Sequence, residues 1–195
     1  MTKRTATIKR ETKETAIHLK LTLDGAGQST LKTDIPFLDH MLDLFCVHGN
    51  FDLDLSLKGD IDIDYHHSVE DVGICLGKAF HTALGNFKGI QRYSSGLTPM
   101  DESLSQIAID ISNRPFLAFE ADFPKSKIGT FDVELVEEFF NAFAINSKIS
   151  LHIKVLEGTN LHHMVESCFK GFGRLLDEAS RLTGSSKIPS SKGLL

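Results

Sequence analysis

The chain has 195 residues, 41% of them hydrophobic and 24% charged, enough for one compact domain with a sizeable core or two fused half-size units. A net charge of -5 speaks against a general nucleic-acid or membrane-surface role, since either favours a basic face, and no apolar run approaches the roughly 18 residues of a membrane span. Three scattered cysteines without a CxxC pair, and a polar start without an apolar leader core, point to a reducing, cytoplasmic setting with buried free thiols.

Alternation in "TATIKR" (5–10) and "AIHLKLTL" (16–23) predicts two partner strands, with Ile17, Leu19, Leu21 and Leu23 facing inward and "DGAG" turning the chain. After Pro36, "FLDHMLDLFCVH" has helical spacing, with Phe37, Met41, Leu44 and Phe45 expected on the buried stripe. "FDLDLSL" (51–57) alternates as a strand, and 67–85 reads as a helix closed near Gly85. Further on, "LSQIAIDIS" (104–112) and "FLAFEADF" (116–123) read as strands joined at "NRP". "VELVEEFFNAFAIN" (133–146) is helical with Leu135, Phe139, Phe140 and Phe143 clustered. "ISLHIKVL" (149–156) is a strand, and 162–182 a helix.

Each half thus reads strand, strand, helix, strand, helix. Superposed 96 residues apart, His66 meets His162, His67 meets His163, Val69 meets Val165 and Glu70 meets Glu166. Gly77-Lys78 meets Gly173-Arg174, and with one gap "LDHMLDLF" falls on "VEEFFNAF", pairing His40 with Glu138. The expectation is one α+β domain over 1–195, an internal duplication of two ββαβα-type pseudo-repeats (roughly 1–90 and 91–195). Neither half can cover both faces of its sheet alone, so two sheets should pack with the helices between them.

His-His-x-x-Glu at two equivalent helix starts is the strongest chemical signal. His67 and Glu70, three apart, share a helix face and could close on one ion, while His66 projects elsewhere, toward a different ion or a different neighbour. The doublets and their glutamates supply six candidate ligands, and His40 with Glu138 would add one to each site. Imidazoles with carboxylates suit zinc, iron or manganese, and the oxygen ligands with open positions favour manganese or iron over a closed structural zinc. A di-iron carboxylate bundle uses the reverse order, Glu-x-x-His, on long helices without intervening strands. Elsewhere the residues alone say less. "IPSSKGLL" reads as a frayed terminus that could also present donors to an anion, and Arg92, Arg114, Lys170 and Glu14 read as ordinary surface charges.

"TKET" (12–15), "FLDHML" (37–42), "MDESL" (100–104), "DISNRP" (110–115), "GTFDVELVEEFF" (129–140) and "PSSKG" (189–193) occur in order around the two doublets. Together they resemble the imidazoleglycerol-phosphate dehydratase family over nearly the whole chain. The resemblance implies a fold like domain 2 of ribosomal protein S5. The implied reaction is loss of water from imidazole glycerol phosphate in histidine biosynthesis, with two manganese ions per active site acting as Lewis acids on the imidazole ring. It implies His40, His66, His67, Glu70, Glu138, His162, His163 and Glu166 as metal ligands, one histidine of each doublet going to each ion. Glu14 is implied as the acid/base group, and Arg92, Arg114, Lys170, Ser190 and Lys192 as phosphate ligands, with the tail ordered over the phosphate. Many family members carry His where this chain has Glu138, and Tyr65 stands where an Asp often precedes the doublet. Sites shared between subunits of a trimer, and trimers gathered into a 24-subunit particle of cubic symmetry, are implied as well, with no nucleic-acid or membrane partner.

Overall fold

The structure, a computed structural model, describes residues 3–195. In chain order the elements are β1 (Thr5–Glu11), β2 (Thr15–Thr22), β3 (Ser29–Lys32), α1 (Pro36–Gly49), β4 (Asp52–Gly59) and α2 (His66–Leu84). There follow β5 (Tyr93–Met100), β6 (Ser103–Asp110), β7 (Phe116–Glu120), the two-residue strands β8 (Lys127–Ile128) and β9 (Phe131–Asp132), α3 (Leu135–Ser147), β10 (Ser150–Glu157) and α4 (Leu161–Ser180).

The class is α+β, with two four-stranded sheets ordered β1-β2-β4-β3 and β5-β6-β10-β7. In each, an antiparallel core of three strands carries one parallel edge strand: β3 on β4, and β7 on β10. Leu19, Leu21, Leu53 and Leu55 of the first sheet point inward, as do Ile107, Ile109, Leu151 and Ile153 of the second. Between these apolar faces lie the four helices. α2 packs on β1 and β2, α4 on β5 and β6, and the halves interlock through α2 against α3 and α1 against α4.

The structure departs from the sequence reading at β3 and β5, at the short strands β8 and β9, and on the buried face of α1. Each half opens with three strands, the additional ones being β3 and β5. β3 has four residues of alternating partial exposure, too few for a periodic signal. β5, "YSSGLTPM", contains Gly96 and Pro99, which ordinarily argue against a strand but are accommodated because β5 is an edge. On α1 the buried stripe is Leu38, Met41, Leu42, Phe45 and Cys46, with Phe37 and Leu44 only half-buried, so the predicted face was rotated.

The interlocked helices approach so closely that only glycine fits. A Cβ at Gly77 of α2 would stand 2.7 Å from the carbonyl oxygen of Phe143 on α3, and one at Gly173 of α4 would stand 2.4 Å from that of Phe45 on α1. These crossings bring the start of α2 to α3 and the start of α4 to α1. Around them Phe45, Phe140, Phe143, Phe169 and Phe172 form an aromatic core, with Phe45 and Phe172 stacked at 5.4 Å. Cys46, Cys75 and Cys168 are buried and unpaired, and burial pushes the Cys75 and Cys168 thiols up to about 11.

Candidate metal centres

Both doublets sit at helix starts because a polar side chain just before each helix caps it. Asn160 Oδ1 accepts from the main-chain N–H groups of His162 and His163, and Asp64 Oδ1 accepts from that of His66 at 2.8 Å. Pro36 opens α1 and sets His40 in its first turns.

Two three-residue clusters result, each built across the halves. His40 of α1 joins His162 and Glu166 of α4, and Glu138 of α3 joins His66 and Glu70 of α2; within each, one potential ligand atom per residue lies within 4.8 Å of the others. The first histidine of each doublet, four residues before its glutamate, therefore shares its cluster. The sequence reading had paired His67 with Glu70 at a spacing of three, but on these helices the i,i+4 neighbours converge.

In the first cluster Glu166 Oε2 lies 3.2 Å from His162 Nε2 and 3.9 Å from His40 Nε2, while Oε1 pairs with the Lys170 ammonium one turn on. Burial alone would push the Glu166 carboxyl up. The Lys170 ammonium, with His162 and His40, outweighs that effect and holds it below the usual glutamate value. The Phe37 ring meets His162 edge-on at 5.3 Å.

The second histidines, His67 and His163, lie outside both clusters. His67 Nδ1 is 2.9 Å from Asp60 Oδ2, and His163 Nδ1 is 2.7 Å from Glu102 Oε2. Each carboxylate raises its partner's pKa above the ordinary histidine value and fixes the tautomer with hydrogen on Nδ1, which leaves Nε2 as the free donor atom. Glu14, exposed in the turn between β1 and β2, brings Oε1 to 3.8 Å from His67 Nε2. A hollow of about 270 Å³ beside it is lined by residues that include Glu14, Lys58 and Asp60. Asp60 and Glu102 were missed as supports: both lie in turns, where no periodicity marks them, although "MDESL" was among the conspicuous motifs.

Lys170 stays with Glu166, but the other cationic residues gather at the far end of α4. Arg92, nearly buried, donates to Asp110 at 2.8 Å and to the Pro189 carbonyl at 2.7 Å, and its main-chain N–H bonds to Ala179. Arg114 approaches the same Asp110 at 3.8 Å with its side chain largely exposed. Through Pro189, and through Lys187 accepting from the N–H of Gly89, the segment carrying Ser190 and Lys192 is tied down beside Arg92. With 1.5 Å of rise per residue, the 17 residues from His162 to Ala179 put this group roughly 25 Å from His162. Within one chain the Arg92 group and the His40 cluster are too far apart for one small molecule.

Two hollows, of about 660 and 600 Å³, lie on the outer sheet faces and include no residue of either cluster. Among the described residues no helix is long and apolar enough to cross a membrane.

Comparison with known proteins identifies the family and the fold. Residues 33–176 match the family described as imidazoleglycerol-phosphate dehydratase. The chain is 56% identical to the imidazoleglycerol-phosphate dehydratase of Trichlorobacter lovleyi over 194 residues (99% of this chain and 100% of that one). It is also 56% identical to that of Bacillus subtilis over 187 residues, covering 95% and 96%. The crystal structure of the Staphylococcus aureus enzyme superposes with a TM-score of 0.84 at 38% identity, covering 92% of this chain and 99% of that one. The Pyrococcus furiosus structure gives 0.84 at 34%, covering 96% and 100%. The chain belongs to the imidazoleglycerol-phosphate dehydratase family of hydro-lyases.

Proposed function

We propose that the protein dehydrates D-erythro-1-(imidazol-4-yl)glycerol 3-phosphate to 3-(imidazol-4-yl)-2-oxopropyl phosphate and water, in histidine biosynthesis in the cytoplasm, with two manganese ions per active site. The observation that carries this reading is the pair of His/Glu clusters, supported by the exposed Glu14 carboxylate at His67.

The donor set suits the metal. Imidazole nitrogens and carboxylate oxygens, without thiolate, favour a divalent ion of manganese type over a closed zinc site, and Asp60 and Glu102 hold His67 and His163 in the tautomer an ion requires. His40, His162 and Glu166 would hold one ion, and His66, Glu70 and Glu138 the other. Bound there, the metal supplies Lewis acidity toward the imidazole ring of the substrate. The change from substrate to product removes the hydroxyl on the ring-bearing carbon and a hydrogen from the next carbon; the enol so formed becomes the ketone. Glu14 is the carboxylate that would take the proton from that carbon; this proton balances the departing hydroxyl as water, and the proton lost from the enol oxygen is matched by one gained at the ring-bearing carbon as the ketone forms. Arg92, Arg114, Ser190 and Lys192 bind the phosphate, and Lys170 adds positive charge at the metal end.

The separation of these groups in one chain supports an active site shared between neighbours. His67 and His163 would complete the clusters of adjoining subunits, and the assembly would be trimers gathered into a 24-subunit particle. The deciding experiment follows turnover of imidazole glycerol phosphate before and after chelation, with manganese added back. Activity should vanish and return; full activity in metal-free protein refutes the reading.

A further inference from the structure

We infer that Asp71 is a positioning residue for Glu14, acting through a clamp on the turn that carries it; this rests on the proposed role of Glu14. Asp71 follows Glu70 on α2, yet it belongs to neither cluster. Its side chain is almost wholly buried, and it spends both oxygens on the hairpin. Oδ1 accepts from Arg10 Nε at 2.8 Å and lies 2.8 Å from Nη2; Oδ2 accepts from the Thr15 hydroxyl in a short bond. Arg10 and Thr15 stand either side of the Thr12–Glu14 turn.

The turn itself is closed locally. Thr12 N–H donates to the Thr15 carbonyl at 2.9 Å, and the Thr12 hydroxyl accepts from the N–H groups of Glu14 and Thr15. Such bonds fix the shape of the turn but not its place over the helix. The Asp71 contacts, added to the packing of β1 and β2 on α2, tie the turn to that helix, and Asp71 lies one helical turn from His67 on the same face. The feet of the turn are thus pinned to the element that presents His67, with Glu14 held 3.8 Å from His67 Nε2.

The two halves differ here. At the position equivalent to Asp71 the second half has Ser167, buried against the Ser105 hydroxyl at 2.5 Å without any charge. The corresponding turn, Asp101–Glu102, is held instead by Glu102 accepting from the main-chain N–H groups of Thr159 and Asn160. Only the half that carries Glu14 has the charged clamp.

The test is a double-mutant cycle on the metal-loaded assembly, with amide exchange on the same proteins. Asp71→Asn should lower kcat by roughly 100-fold, the scale of an ångström-size misplacement, with KM changed less than about threefold. Exchange at Glu14 and Thr15 should quicken while metal content and particle size stay as in the parent. In a Glu14→Gln background the same substitution should add less than about a threefold further loss, because its route to the rate is gone. Arg10→Gln, at a partly exposed residue, should reproduce the kcat loss and the non-additivity even if Asp71→Asn fails to assemble. Asp71→Glu, which keeps the charge, should regain part of the rate. Losses that multiply in the Glu14→Gln background, or an unchanged kcat in both Arg10→Gln and Asp71→Asn, overturn the clamp. A Glu14→Gln enzyme with parental kcat overturns the proposed role of Glu14 instead, independently of whether the turn has loosened.

Discussion

Gly173→Ala tests whether the helix crossings set the fold as closely as the geometry implies. The added Cβ would stand 2.4 Å from the Phe45 carbonyl oxygen and 3.1 Å from its carbonyl carbon and Cα, where ordinary contact begins at 3.4 Å. The obstacle is backbone, so α1 and α4 must part by about 1 Å. Overpacking of this kind costs about 1–3 kcal/mol, and a backbone obstacle belongs at the upper end. Alanine in place of glycine recovers about 1 kcal/mol of helix propensity, leaving a net loss of about 2 kcal/mol. For a chain of this size that lowers the melting temperature by about 4–8 °C. Thermal melts of metal-free protein followed by circular dichroism read the shift. Gly171→Ala is the matched control: its Cβ would meet side-chain rather than main-chain atoms, Ile107 Cδ1 at 2.5 Å and Thr98 Oγ1 at 2.6 Å, and it should cost less. Manganese titration should also show weaker binding in the Gly173 variant, since parting the helices draws His40 away from His162 and Glu166. A Gly173→Ala protein that melts at or above the parent, or below which Gly171→Ala falls, refutes the close-crossing argument.

Two further outcomes follow from the charges. In Glu102→Gln the His163 pKa should drop toward its ordinary value, read by NMR of metal-free protein, and the pH at which manganese dissociates on acidification should move lower, since Nε2 binding competes with protonation of the ring. The histidine pKa is raised and that of Glu102 lowered, so the pair stabilises the fold mainly between about pH 4.5 and 6.5; its contribution fades above the raised histidine value and below the depressed carboxylate value. Arg92→Lys should raise KM more than it lowers kcat and speed proteolysis between Lys187 and Lys192, because lysine cannot reach both Asp110 and the Pro189 carbonyl.

Much of this was legible in the sequence, and the limits have physical causes. The alternation of β2 and β4 and the repeat spacing reveal two sheets and two equivalent helix starts, since period and register are local properties of a chain. β5 escaped because glycine and proline are penalised in strands unless the strand is an edge, and edges are decided by tertiary neighbours. Type and repetition pointed to eight candidate ligands, six of which the structure gathers into two clusters. Their partition was not legible, since a spacing of three and one of four are equally near on an ideal helix, and the choice here falls to where α1 and α3 cross. Asp60, Glu102 and Asp71 were invisible as supports because each acts across the fold on a residue far away in the chain or one turn off.

That partition gives the doublets their logic. Adjacent residues on a helix point about 100° apart, so the two imidazoles of a doublet cannot face the same cluster. His66 and His162 face Glu70 with Glu138 and Glu166 with His40, while His67 and His163 face away from those clusters with Nδ1 already committed to a carboxylate. On the proposed reading each chain then holds two incomplete three-ligand clusters and two unspent, pre-oriented histidines. Two deficits and two surpluses balance only between chains. A closed cyclic assembly satisfies both at every subunit, whereas a monomer leaves every cluster short by one imidazole. Doubling the doublet is therefore what allows every subunit to be donor and recipient at once. A lone His67→Ala should weaken manganese in the cluster of the neighbouring subunit while leaving its own chain's His66, Glu70 and Glu138 intact. Hybrid particles mixing His67→Ala chains with chains that lack His40 distinguish this from a local effect. If metal binding in the hybrids matches that expected from independent chains, the sharing is wrong.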